Sequence, residues 1–232
     1  MRRPLALLTG LAGLVTAPAL AATSDHPAVL ELFQSEGCSS CPPAEAVLNS
    51  LADRPDLIAL SFEVTYWDYL GWKDRFARPE FTSRQYAYAA AIGSDEVYTP
   101  QMVINGRGRI VGTDPAEVAA SLSSYDRADP GPVLTVAGAS VTIAAGPGRS
   151  KPAAIWLVRY DPRRIDVPIR GGENTGRTLP HRNLVTALIR LGDWTGAAAR
   201  YALPAAAPGM ASAILLQDGV AGPIIAARKL QG

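Results

Sequence analysis

The sequence predicts an α/β domain followed by a smaller all-β domain. Three observations support this prediction. Residues 28–64 read as strand, helix and strand, which is typical of two parallel strands joined by a right-handed crossover. Asn105-Gly106 separates two apolar runs, the strongest short-range signal of a β-hairpin. Beyond residues 127–132 (RADPGP), short apolar segments alternate with Gly and Pro turns, which favours a β-sandwich.

The first 21 residues have the order of a secretory signal. A basic start precedes an apolar run from Leu5 to Val15, and Ala19-Leu20-Ala21 forms a small-x-small cleavage site. The run is shorter than the ~20 residues of a membrane span, although an uncleaved anchor is the alternative. We therefore expect a periplasmic or secreted protein with no stable membrane span after signal cleavage.

The predicted α/β domain covers residues 27–126. It begins with two buried strands, at 28–33 and 57–64, on either side of a helix at 44–52. Residues 66–92 form an insert whose second part, from Thr82, is predicted to be helical. Its surroundings are rich in aromatic side chains, because nine of the chain's sixteen Phe, Trp and Tyr residues lie within 62–88. The hairpin follows, and Asp114-Pro115 then predicts the start of a last helix.

The predicted all-β domain covers residues 132–232. The period of residues 183–191 fits a helix or a strand equally well. Just before them, polar residues cluster within 173–183, and they predict either a capped turn or a small polar site facing the first domain. The expected strands lie at 133–136, 140–144, 153–160, 213–217 and 224–227.

Composition excludes several classes of protein. The chain has 232 residues with a formal net charge of +1, so we expect no nucleic-acid partner. It contains two cysteines and two histidines. Two cysteines exclude a disulfide-rich scaffold, and His26 and His181 make no local metal motif. The sequence therefore predicts no cofactor and no metal site.

The two cysteines, Cys38 and Cys41, stand three positions apart between a predicted strand and a helix. A disulfide closing so short a loop gives only about 2 kcal/mol of stability, which argues against a purely structural role. Two thiolates also suit copper(I). A Cys-x-x-Cys pair before a helix in a βαβ pattern is most typical of a redox site.

A redox mechanism assigns a separate role to each cysteine. Cys38, expected to be the more exposed, attacks a disulfide as the thiolate, favoured by the amide groups and dipole at the helix start. Cys41 resolves the mixed disulfide. Ser39 and Ser40 are candidate donors to the Cys38 thiolate. Since Pro42 and Pro43 must lie in the first helical turn, the helix is expected to begin near residues 39–40.

Further candidates surround this pair. Thr99-Pro100 precedes the hairpin, where a cis proline would bring its loop against the cysteines. Glu31 lies in the first strand, and it either shuttles the proton of Cys41 after its pKa is raised by burial, or faces water. Tyr66, Trp67 and Trp72 belong either to a docking surface for substrate or to a local core of the insert.

These segments also carry a resemblance. The order of elements is similar to the thioredoxin fold. The segments FQSEGCSSCPPAEAVL, TYWDYLGWKD, PEFTSRQYAYA, YTPQMVING and GENTGR resemble the exported family catalogued as domain of unknown function 1223. The resemblance runs from about Val29 to the C-terminus. It implies a thioredoxin-like domain with a helical insert, a cis Pro100 and a redox site at Cys38 and Cys41. Relatives usually carry His and Asp where this chain has Glu63 and Thr65.

We thus expect an exported thiol–disulfide oxidoreductase whose partners are protein thiols or disulfides. Two alternatives remain at this point. One is a non-catalytic binding protein on a thioredoxin-like scaffold, and the other is a copper(I) carrier that uses the same two cysteines.

Overall fold

The computed structural model describes residues 22–127, 129 and 131–230. The predicted signal, residues 1–21, lies outside this range. The described chain contains three α-helices, α1 at Pro42–Leu51, α2 at Pro79–Ala91 and α3 at Pro115–Ser124. A 3-10 helix spans Asp68–Leu70. Among these residues no helix is long and apolar enough to cross a membrane.

Among the described residues, four strands precede residue 111 and nine follow it. The first four are β1 (Ala28–Gln34), β2 (Leu57–Glu63), β3 (Gln101–Ile104) and β4 (Gly108–Ile110). The others are β5 (Leu134–Ala137), β6 (Ser140–Ile143), β7 (Ala153–Asp161), β8 (Ile165–Pro168), β9 (Thr178–His181), β10 (Leu184–Trp194), β11 (Ala199–Ala202), β12 (Ala211–Asp218) and β13 (Ile224–Leu230).

One mixed sheet of eight strands runs through the molecule, in the order β13-β12-β7-β10-β2-β1-β3-β4. β1 and β2 are parallel, as the strand–helix–strand pattern predicts, and β3 lies antiparallel to β1. The two halves of the chain join where β10 runs parallel to β2, with Leu184 opposite Ser61. The amide of Ser61 also donates to the carbonyl of Asn183 at 3.0 Å.

This continuous sheet corrects the predicted fold class. A thioredoxin-like domain with a helical insert, followed by a separate all-β sandwich, is wrong. The reason lies in the second-half strands: β7 and β12 are buried along almost their whole length, as in strands covered on both faces. They extend the first sheet beyond β2, so the Pro- and Gly-containing segment at 127–132 does not separate two folds.

Alternation of side chains along β1 determines what each face of the sheet contacts. Val29 and Phe33 pack toward α2 in a core that also contains Tyr160 and Leu215 from the second half. Leu30 and Leu32 point to the other face, where α1 contributes Leu48 and α3 contributes Val118. The second core holds α1 against β1 and β2.

Two small sheets complete the fold. The β11-β6-β5 sheet packs on the second half through a core that includes Leu134, Val141 and Trp194. The β8-β9 pair packs Val167 and Leu179 against Trp72. Trp72 belongs to the insert at residues 66–92, which we call the aromatic insert. The loop between β8 and β9, residues 169–177, is thereby held beside α1.

Candidate active site

Cys38 and Cys41 form a disulfide in the segment between β1 and α1, with their Cα atoms 5.4 Å apart. The segment folds as two successive turns, since the amide of Cys38 donates to the Ser35 carbonyl and the amide of Cys41 donates to the Cys38 carbonyl. Cys41 occupies the N-cap and Pro42 the first turn of α1. The helix therefore begins two to three residues later than predicted.

The disulfide is covered by protein. Cys38 is 0% exposed and Cys41 is 1% exposed, so the expectation that Cys38 is the more exposed of the two is wrong. The two serines between them remain exposed. A reagent must therefore displace a neighbouring segment before it reaches either sulfur.

Residues 169–177, which we call the covering loop, pack against the backbone of the cysteine segment. The side-chain amide of Asn174 is buried and donates to the carbonyls of Glu36 and Cys38, both at 2.9 Å. The Glu173 carboxylate accepts from the Ser39 amide at 3.1 Å and from its hydroxyl at 2.6 Å, which lowers the pKa of Glu173. Of the polar residues clustered within 173–183, Glu173 and Asn174 thus contact the cysteine segment.

Thr99 and Pro100 lie on another side of the pair, and the peptide bond between them is cis. The Ser40 hydroxyl is 3.5 Å from the Thr99 carbonyl oxygen and 3.3 Å from Cys38 Sγ. The Thr99 hydroxyl in turn accepts from the Trp67 indole at 2.8 Å. The structure therefore brings Thr99, Pro100 and Trp67 together with the cysteine segment.

The other aromatic candidates are held by polar contacts. Trp72 donates from its indole nitrogen to Glu36 at 2.6 Å. The Tyr66 hydroxyl donates to Gln85 at 3.2 Å, and burial raises the pKa of Tyr66 to about 12. Tyr69, between them, is 80% exposed. Both the core and the docking interpretation of this insert remain predictions.

Glu31 is not close to the cysteines. It forms a buried ion pair with Arg84 of α2, at 2.7 and 3.1 Å, and also accepts a hydrogen bond from Tyr88. Arg84 reaches Gln217 of β12 at 3.2 Å. This network lies on the α2 face of the sheet, opposite α1, so it links the two halves of the chain.

Sequence reasoning did not identify the polar groups buried beside α1. We call them the acidic cluster. All of its members are at most 2% exposed. Its members are Glu36 in the loop after β1, Glu45 on α1, Glu63 at the end of β2, Asp74 in the aromatic insert and His181 at the end of β9.

His181 lies at the centre of this cluster. Its Nδ1 contacts Glu45 and is 3.9 Å from Glu63 Oε1, while its Nε2 is 3.5 Å from Glu36 Oε1. The side-chain amide of Gln34 donates to both Glu45 and Glu63, each at 3.0 Å. The cluster is therefore one connected polar network.

Mutual repulsion and burial shift the ionisation of the cluster. Burial, together with the charge of Asp74, raises the pKa of Glu63 well above its ordinary value. Burial and the charge of Glu36 likewise raise the pKa of Asp74. Burial would lower the pKa of His181, but the adjacent Glu36 and Glu45 carboxylates outweigh it and raise that pKa to about 11. The cluster therefore retains protons at neutral pH.

Part of the cluster had a signal in the sequence. Gln34 and Glu63 end adjacent parallel strands, so their side chains lie at one edge of the sheet. Glu45 follows Cys41 by four positions, one helical turn. His181 had no such signal, because its position depends on the unpredicted pairing of β8 with β9.

Comparison with known proteins gives one family match and similar solved structures. The family described as "Protein of unknown function (DUF1223)" matches residues 29–217. The chain is similar to protein AGR_C_4864 from Agrobacterium tumefaciens, whose crystal structure is known. The two sequences are 32% identical, and the structures superpose with a TM-score of 0.74 over 92% of this chain and 96% of that one.

A second solved structure shares the fold alone. HBP35 of Porphyromonas gingivalis is 12% identical, with a TM-score of 0.55 over 91% of this chain and 76% of that one. A search of the curated proteins gives no match.

Proposed function

Because the chain belongs to the DUF1223 family, whose description names no activity, we propose its function from the site itself: an exported thiol–disulfide oxidoreductase that uses Cys38 and Cys41. The observation that carries the proposal is the disulfide between the chain's only two cysteines at the start of α1. Its partners are protein thiols or disulfides.

Two features at the start of α1 would stabilise a thiolate once the disulfide is reduced. The positive end of the α1 dipole, at whose N-cap Cys41 lies, favours an anion. The Ser40 hydroxyl, 3.3 Å from Cys38 Sγ, is placed to donate a hydrogen bond to a thiolate. Both effects stabilise the ionised sulfur that disulfide exchange requires.

Exchange proceeds by two balanced displacements. A substrate thiolate attacks Cys38 Sγ, the Cys38–Cys41 bond breaks, and Cys41 leaves as a thiolate. A second substrate thiolate then attacks the substrate sulfur of the mixed disulfide, its bond to Cys38 Sγ breaks, and Cys38 leaves as a thiolate. The substrate gains a disulfide, and Cys38 and Cys41 are left as a dithiol after protonation. The same steps in reverse reduce a substrate disulfide.

Export is part of this proposal. The order of residues 1–21 is that of a secretory signal. Disulfides persist outside the cytoplasm, where the glutathione and thioredoxin systems do not keep thiols reduced.

Trapping with single cysteine variants tests the proposal. Cys41→Ser keeps the attacking thiol but removes the resolving one, so it should accumulate mixed disulfides with partner proteins, which mass spectrometry after acid quenching identifies. Cys38→Ser is the matched control and should accumulate far fewer. Equal trapping by both variants, or none by either, would count against the proposed mechanism.

The burial of the disulfide favours a second candidate, a non-catalytic binding protein. A pair that is at most 1% exposed would remain oxidised if the covering loop never opened. In that case the wild-type disulfide should resist reduction by dithiothreitol until the protein unfolds. Reduction of the folded protein would favour the oxidoreductase.

A further inference from the structure

We propose that Glu45, Glu63 and His181 bind one divalent transition-metal ion, such as Zn²⁺ or Mn²⁺, in the interior of the protein beside α1. This inference concerns a different site from the disulfide. It does not rest on the oxidoreductase proposal.

The three side chains converge from separate elements. Glu45 lies on α1, Glu63 ends β2 and His181 ends β9. One ligand atom from each lies within 4.8 Å of the other two, and the Nδ1 atom of His181 faces both carboxylates. One imidazole nitrogen and two carboxylate oxygens are a donor set that suits zinc or manganese rather than soft copper(I).

The buried polar atoms of this cluster face one another rather than ordinary hydrogen-bond partners. Within the part of the chain that the structure describes, Glu63 Oε2 has no hydrogen-bond partner, and both nitrogens of His181 face carboxylates. Both residues are 1% exposed. Leaving buried polar atoms without partners is costly, and a metal ion coordinated by these side chains would provide the missing interactions.

A second layer of contacts orients the proposed ligands. The Nε2 atom of His181 is 3.5 Å from Glu36 Oε1, and the other oxygen of Glu36 accepts from Trp72 at 2.6 Å. If Nδ1 binds the ion, Glu36 is placed to accept the Nε2 proton. This is the carboxylate–histidine–metal arrangement found in many metal sites. Gln34 holds the two ligand carboxylates from the sheet.

The charges of the cluster also favour a cation. Three buried carboxylates, those of Glu36, Glu45 and Glu63, lie within 3.9 Å of a single imidazole. The fourth, Asp74, is held by the backbone amides of Glu36 and Phe76. Without an ion, the cluster must retain protons to limit repulsion. A dication offsets two of the negative charges, and its binding displaces the proton from His181.

The test uses untagged protein with its disulfide intact, so that no cysteine thiolate is available to bind metal. The protein is refolded with and without Zn²⁺ and passed through a desalting column, and its zinc content is measured by mass spectrometry. We expect one zinc per chain and a higher melting temperature with zinc. Folded wild-type protein that retains no zinc would overturn the proposal.

Variants locate the ion. Glu63→Gln and His181→Gln should each lose the retained zinc. Glu36→Gln, which alters only the orienting carboxylate, should weaken zinc affinity about 10–100-fold. Glu117→Gln changes an exposed carboxylate on α3 and should retain wild-type zinc. Zinc bound equally by all four variants would place it elsewhere and overturn the proposal.

A spectroscopic measurement on the wild type covers the case in which these variants fail to fold. Co²⁺ bound at the proposed site should show the visible bands of a protein-bound ion with nitrogen and oxygen ligands and no sulfur-to-cobalt charge-transfer band. An aquo-ion spectrum, or a sulfur band from the oxidised protein, would contradict the assignment. None of these readouts depends on disulfide exchange, so failure of either proposal is distinguishable from failure of the other.

Discussion

At the scale of single residues, two side chains of the covering loop hold it against the cysteine segment. Asn174 bonds to the backbone on both sides of Gly37, and Glu173 accepts from Ser39. The contacts of Glu173 are exposed, so they exchange readily with water. The contacts of Asn174 are buried, and losing them would leave two carbonyls unsatisfied at a cost of about 1–3 kcal/mol.

Glu173→Ala should therefore increase the rate at which dithiothreitol reduces the disulfide in the folded protein. The physical reason is that the loop loses its hydrogen bonds to Ser39 and opens more often. The rate is measured by quenched alkylation and mass spectrometry. Glu117→Ala, on the exposed surface of α3, should keep the wild-type rate. An unchanged rate in Glu173→Ala would show that this contact does not limit access.

Glu31→Gln should destabilise the protein by about 3–5 kcal/mol, because it leaves the Arg84 charge buried without its partner. Urea unfolding measures the loss. Asp166→Asn is the matched control, because it breaks an exposed ion pair. The side chains of Arg164 and Asp166 are 63% and 51% exposed, and exposed pairs contribute about 0–1 kcal/mol to stability. Equal losses in the two variants would contradict the role of Glu31 in holding the two halves together.

Tyr66 should make stability depend on pH in the alkaline range. Its folded-state pKa is raised by burial to about 12, above the ordinary value of about 10. The neutral phenol therefore contributes stability that is fully present below about pH 10 and is lost as the pH rises through about 12.

Unfolding free energies measured across that range should fall less steeply for Tyr66→Phe than for the wild type. Tyr69→Phe, at a ring that is 80% exposed, should retain the wild-type slope. A Tyr66→Phe protein with the wild-type slope would show that the Tyr66 phenol is not the source.

At the scale of elements, the position of the covering loop depends on close backbone contact with the aromatic insert. A Cβ atom added at Gly171 would lie 2.5 Å from the carbonyl oxygen of Gly71, and one added at Gly172 would lie 3.2 Å from the Cβ atom of Trp72. Glycine is the residue that lets the two backbones approach this closely.

Gly171→Ala should displace the loop from the insert and expose Cys38. We expect faster hydrogen exchange at residues 171–177 and faster reduction of the disulfide. Gly148→Ala is the control, because a Cβ atom there meets nothing within 4 Å. Unchanged exchange and reduction in Gly171→Ala would contradict this account of the loop.

Local patterns predicted the elements around the cysteines well. The apolar run of β1, the face of α1 and the Asn-Gly hairpin depend on neighbouring residues only, and the structure has them at 28–34, 42–51 and 101–110. Residues 183–191 had no decisive period, and they form β10. β8 and β9 were not predicted, because they are short and are stabilised by packing against the insert.

Only those parts of the site that are close together in the sequence were predicted. Cys38 and Cys41 are adjacent in sequence and in space, and the Thr99-Pro100 segment comes to them through the β1–β3 pairing. The covering loop and His181 come from more than 130 positions away, and no local pattern indicates such a contact. Burial of the disulfide was missed for this reason.

At the scale of the whole molecule, the shared sheet predicts a single cooperative unfolding transition. The core on the α2 face combines residues of both halves, among them Phe33, Phe62, Tyr160 and Leu215. Neither half retains this core without the other. Strand β2 would also lose β10 at its edge.

Variants with one tryptophan report on each half separately. In a protein retaining only Trp67, as in one retaining only Trp194, the tryptophan fluorescence should change at the same urea concentration as the circular dichroism of that protein, because coincident probes indicate two-state behaviour. Circular dichroism on the same samples controls for changes in stability caused by the substitutions. Two well-separated transitions would indicate two independent folding units and contradict the single-sheet account.

The most direct test of the central claim is a redox titration of the wild-type disulfide in glutathione buffers, measured by alkylation and mass spectrometry on folded protein. A redox-active pair should reach a reversible equilibrium at a potential between about −270 and −120 mV, the range spanned by thioredoxin and the strongest periplasmic oxidant. A pair that stays oxidised in the folded protein below about −300 mV, as structural disulfides do, would contradict the claim that Cys38 and Cys41 exchange disulfides.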